Sequence, residues 1–245
     1  MSASNLIVAA DISVSYGEHE VLKNVSLCCG SGSWVGVLGA NGCGKSTLLR
    51  AITGQVPFKE GDISINGVSL SLDPVRAKSQ FGYALDSSEL PKELTGLQFL
   101  ELMASIRNAL PNDLSDRLIK AFHVEPWLNE TIGRYSYGTR KKIGILGALI
   151  GNPSVLVLDE SINGLDPMSA WHLKQVMDEL VREGSKTVIM ATHAIDVVYE
   201  FCSDALLLHG GAIVRSWHLP DIKNAGITQR QFEAEVMGIM SEASV

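Results

Sequence analysis

Cysteine is scarce in this chain: four residues, at 28, 29, 43 and 202, among 245. Their spacing offers neither the paired ligands of a metal site nor the framework of a disulfide-stapled domain. An excess of positive charge is also missing. Twenty Lys and Arg face 27 Asp and Glu, giving a formal charge of -7 and a pI near 5.4, which argues against a basic surface for nucleic acid. No apolar run approaches the length needed to span a bilayer, and the first cationic side chain is Lys23, so the amino end lacks the charged start of a secretory signal. Internal repeats and low-complexity tracts are lacking too. These gaps leave a cytosolic globular chain, 46% hydrophobic and 19% charged, able to bury a sizeable core.

What is present centres on Gly39-Ala40-Asn41-Gly42-Cys43-Gly44-Lys45-Ser46-Thr47. The run into it, Trp34–Leu38, is short and apolar like a buried parallel strand, and the run out, Leu48–Ile52, has helical composition. Gly39, Gly42 and Gly44 permit backbone conformations closed to residues with a side chain, so successive amide hydrogens converge on one point. The first turn of the helix adds unpaired N–H groups and the positive end of its dipole, an arrangement that holds phosphate. With all of G-x-x-x-x-G-K-S in place, Lys45 reaches the terminal phosphates of a nucleotide and Ser46 gives its hydroxyl to magnesium. Cys43 lies inside this loop, where the dipole and Lys45 are expected to lower its pKa and make its modification block nucleotide binding. Cys28, Cys29 and Cys202 read as core packing.

From Leu6 to Leu27 the chain alternates as half-buried strands do, with Gly17–Glu20 as the turn between two of them. Tyr16, just before that turn, is either a strand aromatic or a stacking platform for a purine base. Gly61–Val68 adds antiparallel strands around the hairpin dipeptide Asn66-Gly67, and Lys78–Leu85 reads as a core strand. Thr95 and Gln98 have capping-box spacing, so a helix begins near Gly96 and runs through Phe99, Leu102, Met103 and Ile106, with Pro111 closing the segment. Leu114–Phe122 and Arg140–Ile150 read as further helices, making residues from about 87 to 152 a helical insertion. Strands return at Val155–Leu158 and Thr187–Ala191, separated by a helix from Pro167 to Glu183. A helix through Val197, Val198 and Phe201, a hairpin through Gly210-Gly211 and a helical tail from Pro220 follow. Strands alternating with helices predict an α/β fold with a parallel core.

Asp159, at the carboxyl end of an apolar strand, is the expected partner of a phosphate loop, holding magnesium opposite Ser46. Glu160 then points toward the γ-phosphate, where it orients or deprotonates an attacking water. Alone, two adjacent acids read as a solvated turn; the complete phosphate loop upstream reverses that. His193 follows a second buried strand and meets the γ-phosphate at the same sheet edge. By itself it reads as a hydrogen-bonded core histidine, and His19, His123, His172, His209 and His218 keep that reading.

Tyr135-Ser136-Tyr137-Gly138-Thr139-Arg140-Lys141-Lys142 precedes an apolar helix shortly before the Asp159 strand. With the phosphate loop, Asp159-Glu160, Gly164-Leu165-Asp166 and Thr192-His193, this order resembles the ATP-binding subunit of an ABC transporter, over nearly the whole chain. The resemblance implies a P-loop NTPase (RecA-like) parallel-sheet core with an antiparallel β subdomain and an α-helical subdomain. The β lobe and phosphate loop take about 1–86, the helical part about 87–152, the remaining core about 153–218 and the tail about 219–245. It implies that Tyr16 stacks on adenine, and that Gly39, Asn41, Gly42, Cys43, Gly44, Lys45, Ser46 and Thr47 bind the triphosphate of ATP with Mg2+. Asp159 assists the metal, Glu160 is the catalytic base, His193 senses the γ-phosphate, and Asn163–Asp166 communicate with an opposite subunit. Ser136 and Gly138 cap the γ-phosphate held by a second ATP-binding subunit, in a homodimer or heterodimer with two ATP molecules between them.

Departures accompany the resemblance. The family signature Leu-Ser-Gly-Gly-Gln meets Tyr135, Tyr137 and Thr139 here, and Tyr137 adds bulk close to the dimer seam. Where the family places a glutamine after Phe81-Gly82-Tyr83, this chain has Asp86, which either coordinates the metal with altered magnesium dependence or points to solvent and leaves the glutamine's role unfilled. The reading is an ATPase at the inner face of the cell membrane, driving export through a separate transmembrane permease, with no nucleic acid expected. Its rivals are a low-turnover regulatory subunit and a non-transport ABC ATPase acting on ribosomes or DNA.

Overall fold

In the computed structural model, which describes residues 5–109, 113–184 and 186–242, two sheets sandwich one short helix. The larger sheet has the order β10-β9-β3-β8-β7-β6. Strands β3 (Trp34–Leu38), β6 (Phe81–Ala84), β7 (Val155–Asp159), β8 (Thr187–Ala191) and β9 (Asp204–His209) run parallel, and β10 (Ala212–His218) pairs antiparallel with β9 at the edge. Val35 and Val37, Val155 and Val157, Ile189 and Ala191 pack toward α1 (Lys45–Ile52) and the smaller sheet. Their neighbours Trp34, Leu38, Leu156, Leu158, Val188 and Met190 pack into the opposite cluster, among the later helices. Both faces are covered, so these strands read as unbroken apolar runs rather than alternating ones.

The smaller sheet, β2-β1-β4-β5, is antiparallel and joins β1 (Asn5–Tyr16), β2 (His19–Gly30), β4 (Glu60–Ile65) and β5 (Val68–Ser69). The β1–β2 connection is only Gly17-Glu18, two residues shorter than the sequence suggested. Asn66 and Gly67 both take positive φ, 50° and 74°, the geometry whose twist matches the flanking strands. Alternation along β2 buries Cys29 and exposes Cys28, which corrects the expectation that both are core. A second correction concerns Lys78–Gln80, which was expected to open a strand. Asp73 accepts a hydrogen bond from the Arg76 N–H and Pro74 fills the first helical position, so residues Pro74–Ser79 form α2 and β6 starts at Phe81.

Between β6 and β7 lie α3 (Gly96–Ile106), α4 (Asp113–Ala121) and α5 (Tyr137–Leu149). The predicted capping box is formed: Thr95 Oγ1 accepts from the Gln98 N–H, and Gln98 Oε1 accepts from the Thr95 N–H. Pro111 lies outside the described residues; α3 already ends at Ile106. Helix α5 lies so close to β6 that any Cβ at Gly82 would collide with the Ala148 carbonyl. Helices α6 (Pro167–Arg182), α7 (Ile195–Phe201), α8 (Leu219–Asn224) and α9 (Gln229–Glu242) complete the chain, and fully buried Phe232 holds α9 against Trp217 and Tyr199.

Candidate functional site

The phosphate loop sits where β3 hands over to α1. Gly42 and Gly44 take φ of 79° and 110°, and Gly44 is the residue before the first helical turn. A cavity of about 210 Å³ opens there, lined by Val21, Asn41, Gly42, Gly44, Lys45, Ser46, Thr47 and Glu160. A larger cleft of about 620 Å³ lies between β1–β2 and β9–β10 and contains none of these residues. Of these two, the smaller cavity is the chemical one, because it joins a helix N-terminus, a lysine and a carboxylate.

Lys45 is buried at 6% exposure, its Nζ donating to the carbonyls of Gly39 at 2.9 Å and Ala40 at 3.1 Å, with Glu160 Oε1 4.0 Å away. Those bonds stretch it across the loop. Burial, its largest cause, raises the Asp159 carboxyl pKa, opposed by the Ser46 hydroxyl beside it, and the Asp159 Oδ1 is buried without a hydrogen-bond partner. An orphaned carboxylate oxygen next to a hydroxyl is a donor pair that suits a hard divalent cation. Among the described residues no cluster of three or more His, Cys, Asp and Glu could hold a metal unaided.

Glu160 follows β7 with a φ of 48°, unusual for a residue with a side chain, and its N–H still donates to the Ala191 carbonyl. Its carboxylate accepts from Asn163 Nδ2 and lies 3.2 Å from His193 Nδ1, so the predicted base and sensor do meet. Lys141, which has no role assignable from sequence alone, fixes this bend. Buried at 7% exposure, its Nζ donates to the carbonyls of Glu160 and Asn163, both at 2.6 Å. The signal for its burial was available: Lys141 leads into a stretch of α5 that is apolar and buried on every side from Ile143 to Leu149, where an ammonium needs partners. Lys142 then pairs with Asp166 at 2.7 Å, while Asp166 caps α6 by accepting from the Ser169 N–H. Helix α5 thus grips both ends of the 160–166 loop.

The remaining predicted residues lie apart. Ser136 caps α5, accepting from the Thr139 N–H, and neither it nor Gly138 lines the cavity. Tyr137 is half exposed, its ring packed on Gly164 and under the Lys141 ammonium at 5.2 Å. Tyr135 is buried; its hydroxyl donates to the Trp127 and Glu130 carbonyls and accepts from the Gly96 N–H. Tyr16 is half exposed at the end of β1. Asp86 is exposed, and its Oδ1 accepts from the Ser88 hydroxyl at 2.6 Å and N–H at 2.8 Å, which holds its carboxyl below the usual range. The expectation for Cys43 is corrected in sign: burial outweighs Lys45 and pushes its thiol pKa up.

A family model described as ABC transporter matches residues 22–163. Across 212 residues the chain is 32% identical to the ABC-type transporter ATP-binding protein EcsA of Bacillus subtilis, covering 85% of each. The chain belongs to the ABC transporter family. It is an ATP-binding subunit of that family and an ATPase. It is also 30% identical over 215 residues to the lipopolysaccharide export system ATP-binding protein LptB of Escherichia coli, 85% of this chain and 88% of that one. A solved ATP-binding subunit of an ABC transporter superposes with a TM-score of 0.84 at 28% identity, covering 95% and 99% of the two chains. A dimeric bacterial ABC transporter cassette does so with 0.78 at 26%, covering 87% and 98%. Among the described residues of this ABC subunit, no helix is long and apolar enough to cross a membrane.

Proposed function

We propose that this subunit dimerises around two ATP molecules and powers export through a separate transmembrane permease, from the inner face of the cell membrane. One observation carries the dimer: Ser136 and Gly138 stand at the N-terminus of α5, where an anion is stabilised, yet they lie outside the chain's own phosphate cavity. A second copy or a homologue brings them to the open side of the nucleotide. The export system named for one relative and the dimer solved for another support this reading.

In the proposed cycle Gly39, Asn41, Gly42, Cys43, Gly44 and Thr47 line or shape the loop that receives the phosphates, and Tyr16 stacks on the adenine. Lys45 exchanges its bonds to Gly39 and Ala40 for the phosphate oxygens. Ser46 and Asp159 would hold magnesium, which supplies charge neutralisation when bound. Glu160, aligned by Asn163 and His193, takes the proton of the attacking water, and His193 senses the γ-phosphate. Asp86, engaged by Ser88, is left out of the metal site.

The test is light scattering of Glu160→Gln with saturating ATP and magnesium. A dimer is expected, lost on adding Ser136→Arg; a monomer both alone and with its membrane companion overturns the proposal. Wild-type ATPase no faster than Glu160→Gln would favour the regulatory reading.

A further inference from the structure

Ser46 and Arg50 lie one turn apart on α1 and so share a stripe of that helix. The β6–β7 register pairs Tyr83 with Val157, which puts Tyr83 and Asp159 on the same face of the sheet, toward α1. Arg50 lies where these surfaces meet. Its Nη2 donates to Glu89 Oε1 at 3.0 Å, and the Tyr83 hydroxyl and the Asp159 carboxylate both act on its charge. Glu89 is aimed by a tight turn. The Glu89 N–H donates to the Asp86 carbonyl at 3.0 Å, and the Asp86 side chain closes the same turn through Ser88.

We propose that Arg50 is a positioning residue that transmits the state of the nucleotide site to the segment 86–90, and that Asp86 serves this relay by building the turn that aims Glu89. The guanidinium bonds helix α1, whose first turn meets the phosphates, to the loop leaving β6 through Glu89, beside Tyr83 of β6. A change in the charge around Asp159, beside Ser46, alters the pull on the guanidinium and therefore on Glu89. The planar, always-charged fork of Arg suits this bridging, whereas Lys presents one point charge. Because the Arg50–Glu89 pair is partly exposed, 37% on each side, its own strength is small, about fivefold at most in an equilibrium constant. That suits an element that shifts position when the site is filled.

The inference deepens the proposed coupling to a permease, and it is tested without one. Deuterium uptake by the peptide spanning 86–94 is compared with and without AMP-PNP and magnesium, in wild type, Glu89→Gln, Arg50→Lys and the double variant. Wild type is expected to show a nucleotide-dependent change in uptake that each single variant cuts by at least about half, with nucleotide affinity within about fivefold of wild type. The double variant should be no worse than the worse single one, as for one shared interaction. No nucleotide-dependent change in wild type overturns the proposal. So does uniformly faster exchange in the variants with that change intact, the mark of a merely structural tie. Failure of wild type to bind AMP-PNP would instead sink the nucleotide site itself, and the relay with it.

Discussion

Lys141→Met is the perturbation whose outcome the structure fixes most closely. The lysine ammonium, 7% exposed, is spent on two carbonyls, those of Glu160 and Asn163. Each bond from a charged donor is worth about 1.5–3 kcal/mol, and removing the ammonium also relieves its desolvation, leaving a net loss of about 2–3 kcal/mol. Unfolding entropy for 245 residues is about 0.5 kcal/mol per kelvin, so Tm should fall by about 4–6 °C. Function should suffer more visibly. Glu160 adopts a φ of 48° that it would not choose freely, and Lys141 is what holds its carbonyl there. If that tether is what keeps the carboxylate against Asn163 and His193, kcat drops about 30- to 100-fold, with KM for ATP within about twofold. Steady-state ATPase and a thermal melt on one preparation suffice. A Tm lowered as worked with kcat within about twofold of wild type would refute the reasoning, because the bend would then hold without its lysine.

Other outcomes follow from the same contacts. Cys43 should alkylate slowly at neutral pH and faster as pH rises past the ordinary thiol value, because burial favours its protonated form; ATP should protect it. Labelling of Cys43 with nucleotide affinity unchanged would show that the thiol does not face the phosphates. Lys186 is buried, bonded to the Asn152 carbonyl, and desolvation brings its pKa down to about 8. Between that value and the ordinary lysine value the unfolded chain holds the extra proton, so this group makes stability rise with pH over that window, a slope that Lys186→Met should remove in denaturant titrations at pH 8 and above. Tyr135→Phe leaves the Trp127 carbonyl and part of the Gly96 N–H unsatisfied, at about 1–2 kcal/mol or about 2–4 °C of Tm. Tyr135→Leu, which restores the family's residue, should lose at least as much here, since the surrounding carbonyls are arranged for a hydroxyl.

The phosphate loop, the acids after β7 and the histidine after β8 were legible because each is a local pattern: an apolar strand, then a residue whose place at the strand end is set by chain order. The capping box at Thr95 and the turn at Asn66-Gly67 were legible for the same reason. The errors share a cause too. Gly17–Glu20 lacks an apolar side chain over four residues, so all four read as a turn, but strand pairing needed only two. Lys78–Gln80 continues an extended pattern, yet Asp73 and Pro74 had already started a helix. For Cys43 the dipole and Lys45 were visible, but the burial that outweighs them was not.

Sequence alone determined that the glycine-rich loop, Asp159 and Glu160 would share one edge of a parallel sheet, because strand direction and loop composition are encoded within a few residues. Tertiary structure alone decided what holds them. Lys141 reaches carbonyls 19 and 22 positions away, Arg50 reaches a glutamate 39 away, and Tyr135 ties down an N–H 39 before it. A hydrogen bond depends on distance in space, and only the packing of α1 and α5 against the sheet brings these groups within reach of one another.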